Sequence, residues 1–237
     1  DADCSVAMAS GSDVASQASQ LVLLESDFSR MPSVVGEGRQ VVNNIERSAS
    51  LFLVKNIFSF LLSVISMIFA ITYPLRPAQV SFVAMFTIGT PAFLLAMEPN
   101  RKIIKGHFLT NVFLKALPAG LTDVIMVGML MLFGIVFGVS SEEISVTATL
   151  LLAIVGLQIL FQLSKPMNVF RWIVWCGMLA GLLLSAIFAG GWFGVEEITL
   201  KSGLLLIVFA AATLPVFTQL VKIVERIELF FEQYHMK

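Results

Sequence analysis

Six apolar segments, at 51–73, 80–98, 113–138, 146–164, 172–193 and 203–221, constrain this chain more than any other feature. Each is near the roughly 20 residues that a helix needs to cross a hydrocarbon core. The segments therefore predict six transmembrane helices. Composition agrees: 57% of the 237 residues are hydrophobic and 13% charged, with a mean hydropathy of +0.90, outside the range of ordinary soluble domains. The expected fold is mainly α, a polytopic bundle.

An even number of spans places both ends on one side, and the basic residues say which. Arg39, Arg47, Arg101, Lys102, Lys105, Lys115, Lys165, Arg171, Lys222 and Arg226 all fall on that side. The opposite loops hold Arg76 and Lys201 beside the acidic pairs Glu142-Glu143 and Glu196-Glu197. By the positive-inside rule both termini are expected in the cytoplasm. The pairs Gly134/Gly138 and Gly177/Gly181 have the four-residue spacing of close helix packing.

Residues 1–50 are more polar. Ser5-Val6-Ala7-Met8 and Leu21-Val22-Leu23-Leu24 flank the polar Ser10-Gly11-Ser12-Asp13, which predicts strand, turn, short helix, strand. A helix is expected to start at Ser29 as N-cap, with Pro32 tolerated in its first turn. Arg39 to Tyr73 contains no Gly or Pro, so a stalk helix is expected to run straight into the membrane. The boundaries are then 1–28 for a soluble end, 29–50 for the stalk, 51–221 for the membrane domain and 222–237 for a tail.

Cys4 and Cys176 belong to different solvents and are expected as free thiols. A net charge of -1, with no basic block interleaved with aromatics, argues against nucleic acid as a partner. The chain begins Asp1-Ala2-Asp3-Cys4, with neither an initiator Met nor a signal-type segment. A piece of a longer protein is expected.

The stretch 1–24, DADCSVAMASGSDVASQASQLVLL, followed by Asp27-Phe28-Ser29, Glu37-Gly38-Arg39 and Asn43-Asn44, resembles the end of the phosphorylation domain of P-type cation-transporting ATPases, most closely those of bacteria. Ala9 departs from the Gly more usual there. The resemblance covers the whole chain. It implies that residues 1–28 close a haloacid-dehalogenase-like α/β domain and that the six spans are the fifth to tenth membrane helices. The family's phosphorylated Asp in DKTGT and its Mg2+-binding GDGxND segment are not in this sequence; the latter would lie upstream of Asp1. ATP and Mg2+ are thus implied for a parent enzyme that includes a further amino-terminal part, and this piece alone is expected to be inactive. The expected location is the cell membrane.

Polar groups inside a span are default candidates for function. Asn56, Ser59, Ser63 and Ser66 recur at three- and four-residue spacing and share a helix face; Ser hydroxyls bonded back to the helix, or small-residue packing, would produce the same stripe. By resemblance Asn56 falls on an ion-coordinating Asn of calcium pumps, whereas Ser59 replaces a carboxylate. Lys55 has three readings: snorkelling to the interface, a built-in counter-ion, or a lipid-headgroup contact as in the related flippases, whose fifth helix carries a similar Lys-Asn pair.

Thr87-Ile88-Gly89-Thr90-Pro91-Ala92 resembles the broken sixth helix of cation pumps. Pro91 has no N–H to offer the Thr87 carbonyl, so freed carbonyls with the Thr87 and Thr90 hydroxyls would offer hard oxygen ligands. A Pro kink used only for packing is the alternative. Ile88 stands where calcium and sodium pumps have an Asp. Gln158 aligns with a family carboxylate of the eighth helix, with Gln162 one turn later.

Asp123 is the one carboxylate well inside a span; it is expected to pair with Lys55, or else to bind an ion, although its helix is not the family's usual ligand source. Glu98 is expected at the interface. His107 and His235 lack zinc or copper spacing. The resulting expectation is ATP-driven transport of a metal cation, Ca2+ first because hard oxygens dominate. A lipid flippase, a scaffold and a secondary carrier are the rivals.

Overall fold

A computed structural model describes residues 4–104, 106–195 and 199–235, the side chains of 230–235 excepted. Asp1, Lys105, the Glu196-Glu197 pair and the His235 side chain, all used above, lie outside what is described. The chain divides into two compact units, residues 1–43 with 99–104, and residues 44–98 with 105–237.

In the first unit, strand β1 (Val6–Met8), helix α1 (Asp13–Ala18) and strand β2 (Leu21–Leu23) follow the expected order. The strands are parallel, with Val6 opposite Leu21 and Met8 opposite Leu23; a parallel pair needs a crossover, and α1 supplies it. Ser12 caps α1, its Oγ accepting from the Ala15 N–H at 3.2 Å.

The next helix begins differently from expectation. Asp27, not Ser29, is the cap: its carboxylate accepts from the Ser29 N–H at 2.9 Å and from the Ser29 hydroxyl at 2.7 Å. A carboxylate can take both donors at once, and a 3-10 turn (Phe28–Arg30) follows before α2 (Met31–Ile68). Within this unit Asn43 donates to the carbonyls of Asn100 and Lys102, both at 2.9 Å, so the first Asn of the Asn43-Asn44 pair fastens the segment 99–104.

The second unit is helical. Helix α3 (Pro77–Ala84), a π-turn (Met85–Gly89) and α4 (Thr90–Ala96) form one span; α5 (Phe108–Val136), α6 (Ser141–Leu163), α7 (Val169–Phe193) and α8 (Leu200–His235) follow. With α2, six helices among the described residues are long and apolar enough to cross a membrane. Helices α5, α6 and α8 pack on one another, and α3 and α4 pack on α7. Helix α6 is the most deeply buried. It starts at a capping box, in which Ser140 Oγ accepts from the Glu143 N–H and Glu143 Oε2 accepts from the Ser140 N–H.

Helix α2 ends at Ile68, five residues before the expected Tyr73. Ala70 takes a positive φ of 51°, the Ile71 N–H reaches the Ser66 carbonyl at 3.0 Å and the Ala70 N–H reaches Met67 at 3.4 Å. This is a Schellman stop built on Ala in place of the usual Gly, which is why no breaker marked it.

The same motif corrects the reading of Gly134/Gly138. Gly138, at φ +66°, ends α5, and the Val139 N–H closes on the Gly134 carbonyl at 2.9 Å. Only Gly134 packs closely, with Ile144 Cδ1 at 2.6 Å from where a Cβ would stand. In the second pair Gly181 lies against Phe86, while Gly177 has nothing within 4 Å.

Candidate functional site

The face that α2 turns into the second unit carries Leu51, Val54, Phe58 and Leu62, all at most 6% exposed. Lys55 adjoins that face and is half-buried, whereas Asn56, one residue or about 100° further round, is exposed. Lys55, Thr87 of the π-turn and Asp123 of α5 line one cavity of about 40 Å3, walled elsewhere by apolar side chains that include Ile88. The lining is confined to the second unit.

Thr87 is 2% exposed. Its hydroxyl donates to the Val83 carbonyl at 2.9 Å, leaving the oxygen lone pairs free to accept. The expected break in this span is absent: the chain stays helical from Pro77 to Ala96, and the irregularity is the π-turn, in which the Thr90 N–H reaches back to the Met85 carbonyl. A π-turn absorbs the missing Pro91 donor without unwinding the helix.

Gly156 of α6 makes this arrangement possible. A Cβ there would stand 2.7 Å from both Cβ and Cγ2 of Thr87. Nothing in the sequence singled out Gly156, because a lone Gly in an apolar helix carries no pattern.

Asp123 is 4% exposed, and its Oδ1 has no hydrogen-bond partner among the described residues. The expected pairing with Lys55 does not form. Both line the cavity, yet among the described residues no ion pair reaches either.

The other expected site residues lie elsewhere. Asn56 and Ser63 are exposed, Ser59 and Thr90 half-buried, and Pro91 buried after the π-turn; none of them lines the cavity. Of the polar stripe of α2, Asn56 and Ser63 are thus turned away from the second unit's core, whereas Ser59 is half-buried and Ser66 buried. Gln158 turns toward α8, donating to the Thr213 hydroxyl at 2.7 Å, and its Oε1 is buried without a partner. Thr213 is fully buried, and no sequence signal marks it, because a single Thr suits many roles in an apolar helix. Among the described residues no three His, Cys, Asp or Glu side chains converge.

A second polar cluster stands where α4, α6 and α7 end or begin. Arg171 is 8% exposed; its Nε donates to Glu98 Oε2 at 2.6 Å, and its Nη1 donates to the carbonyls of Ser164 and Pro166 at 3.0 and 2.8 Å. Arg47 of α2 reaches the Leu95 carbonyl at 3.4 Å, and the Asn44 amide donates to Ala96 at 3.0 Å. Glu98, expected at an interface, lies just past the end of its span at Ala96 and is half of a partly buried ion pair.

Burial pushes the Glu98 carboxyl up, but donors from Arg171 and Asn168 and the charges of Arg171 and Arg47 outweigh it, leaving it below its ordinary 4.5. A lowered folded value means that the stabilisation is fully present above the unfolded value and is lost as pH falls through the folded one. E98Q is expected to flatten this acid limb in the thermal midpoint of the full-length protein, read between about pH 5 and 3. An acid limb identical to that of the wild type contradicts the assignment.

No family model matches the chain. It is similar to a probable cation-transporting ATPase, exp7, of Streptococcus pneumoniae, at 37% identity over 196 residues, 79% of this chain and 25% of that protein. It is also similar to the calcium-transporting ATPase CtpE of Mycolicibacterium smegmatis, at 35% over 204 residues, 79% of this chain and 26% of that protein. A calcium-transporting ATPase of Bacillus subtilis is 36% identical over 106 residues, 44% of this chain and 12% of its own length. The chain spans about a quarter of the length of the first two relatives.

Proposed function

Because this chain belongs to the P-type cation-transporting ATPases, as part of such a protein, we propose that it forms the carboxyl-terminal membrane domain of a pump that moves a metal cation by an aspartyl-phosphate cycle, with Ca2+ as cargo. Support comes from relatives named as cation- and calcium-transporting ATPases, together with a cavity at the π-turn that two oxygen-bearing residues, Thr87 and Asp123, line. Hard oxygens suit Ca2+. The cavity carries the reading; Asn56, Ser59, Ser63, Thr90, Pro91 and Gln158 belong to the wider ion path, completed by parts of the parent outside this chain. ATP and Mg2+ act in those parts.

In this reading the protein lies in the cell membrane with both termini in the cytoplasm. Residues 1–28 end the phosphorylation domain, 29–50 are the stalk, 51–221 the membrane domain and 222–237 a tail. Lys55 balances the cavity's charge when the cation has left.

Lys55 also favours the second reading, a lipid flippase. ATPase activity of the full-length protein, wild type and K55A, distinguishes the two. Stimulation by Ca2+ that K55A alters in its concentration dependence supports the pump. Stimulation by a phospholipid that K55A abolishes supports the flippase, and no response to Ca2+, Mg2+, Mn2+ or monovalent cations sinks the pump.

A further inference from the structure

Among the described residues Asp123 makes no hydrogen bond or ion pair that would account for its burial. Its neighbour Thr122 donates to the Pro118 carbonyl at 2.7 Å and is thereby satisfied within α5. Among the described residues Asp123 Oδ1 has no partner, and Lys55, which lines the same cavity, forms no ion pair with it. A carboxylate that is 4% exposed and neither bonded nor paired is costly to keep at this depth. Buried polar groups left open are explained by an ion, a water or chemistry.

The cavity supplies the room. At about 40 Å3 it exceeds the roughly 10–15 Å3 that one water requires, enough for a bare divalent cation with a water beside it. The π-turn contributes Ile88 to the lining, not an acid, so the only acidic residue lining this space among the described residues comes from α5. Thr87 lines the same space, and its hydroxyl, whose proton goes to the Val83 carbonyl at 2.9 Å, keeps its lone pairs for a further donor or cation.

The geometry points to Asp123 as the carboxylate ligand of the transported cation, supplied from α5, with the Thr87 hydroxyl as a further oxygen ligand. This rests on the pump reading above and deepens it by naming the charged ligand.

The test uses the full-length protein in native membrane vesicles with Ca2+ as probe. D123N is expected to raise the Ca2+ concentration for half-maximal ATPase stimulation about tenfold or more, and D123E, which keeps the charge, by less. In the wild type, saturating Ca2+ is expected to protect Asp123 from modification by a hydrophobic carbodiimide, located by mass spectrometry. An unchanged half-saturation in D123N, with the wild type responsive, overturns the inference and leaves the pump standing. If D123N does not accumulate, the labelling decides: Asp123 labelled equally with and without Ca2+ overturns the inference. A wild type that answers to no cation defeats the pump reading itself.

Discussion

Replacing Arg171 by Ala is expected to lower the thermal midpoint of the full-length protein by on the order of 10 °C. The substitution removes the donor to Glu98 Oε2 at 2.6 Å and those to the Ser164 and Pro166 carbonyls. It leaves a carboxylate whose side chain is only 16% exposed with the Asn168 amide at 2.5 Å and the more distant charge of Arg47 as its remaining compensation. Breaking one side of a buried ion pair costs about 3–5 kcal/mol, because the surviving charge keeps its desolvation penalty and loses its compensation. For a membrane domain of this size that unfolds as one unit within the full-length protein, each kcal/mol is worth roughly 2–4 °C.

The double substitution E98L/R171M discriminates pairing from mere volume. Apolar residues of similar size leave no orphaned charge, so most of the loss should be recovered. If R171A moves the midpoint by less than about 2 °C, corresponding to under 1 kcal/mol, the pair is ornamental and Glu98 is solvated in the working protein. Membrane proteins that unfold irreversibly are compared at one scan rate.

That pair also marks where sequence reading stops. Positive-inside bias accounts for Arg171 without any partner, and Glu98 reads equally well as an interfacial acid. Their meeting depends on how α4 and α7 pack across 73 residues. The six spans and the strand–helix–strand order were legible because hydropathy and turn residues report them locally. The end of α2 was not, since Ala70 adopts a conformation that residue types advertise only when the residue is Gly.

The site was half legible for a related reason. A polar stripe in an apolar helix marks a face but not which way it points. Lys55 and Asn56 differ by one residue, and that turn of about 100° separates a residue lining the cavity from one outside it. Thr87 and Asp123 were found because a span exposes any oxygen as unusual; Gly156, which has no side chain, leaves no such mark.

Gly156 sets the second large effect. G156A is expected to destabilise the protein by about 1–3 kcal/mol, the usual range for overpacking a filled core. The added methyl meets Thr87 Cβ and Cγ2 at 2.7 Å and Oγ1 at 3.0 Å. Thr87 is β-branched and stiff at χ1, it is 2% exposed, and its hydroxyl is tied to Val83. It cannot swing aside as a long side chain would, so the π-turn or α6 must shift. In the pump reading that movement also displaces a cation ligand, and Ca2+ half-saturation should rise with the loss of stability. G128A is the control, since Gly128 lies inside α5 with nothing within 4 Å of its added methyl. There the gain in helix propensity acts alone, a stabilisation of roughly 0.5–1 kcal/mol. The same chemical change is therefore expected to have opposite signs on two helices of one bundle. T87S in the G156A background removes one of the crowding carbons and should recover part of the loss. Equal midpoints for G156A and G128A would mean that α6 and the π-turn do not meet at Thr87, and the cavity would have to be redrawn without it.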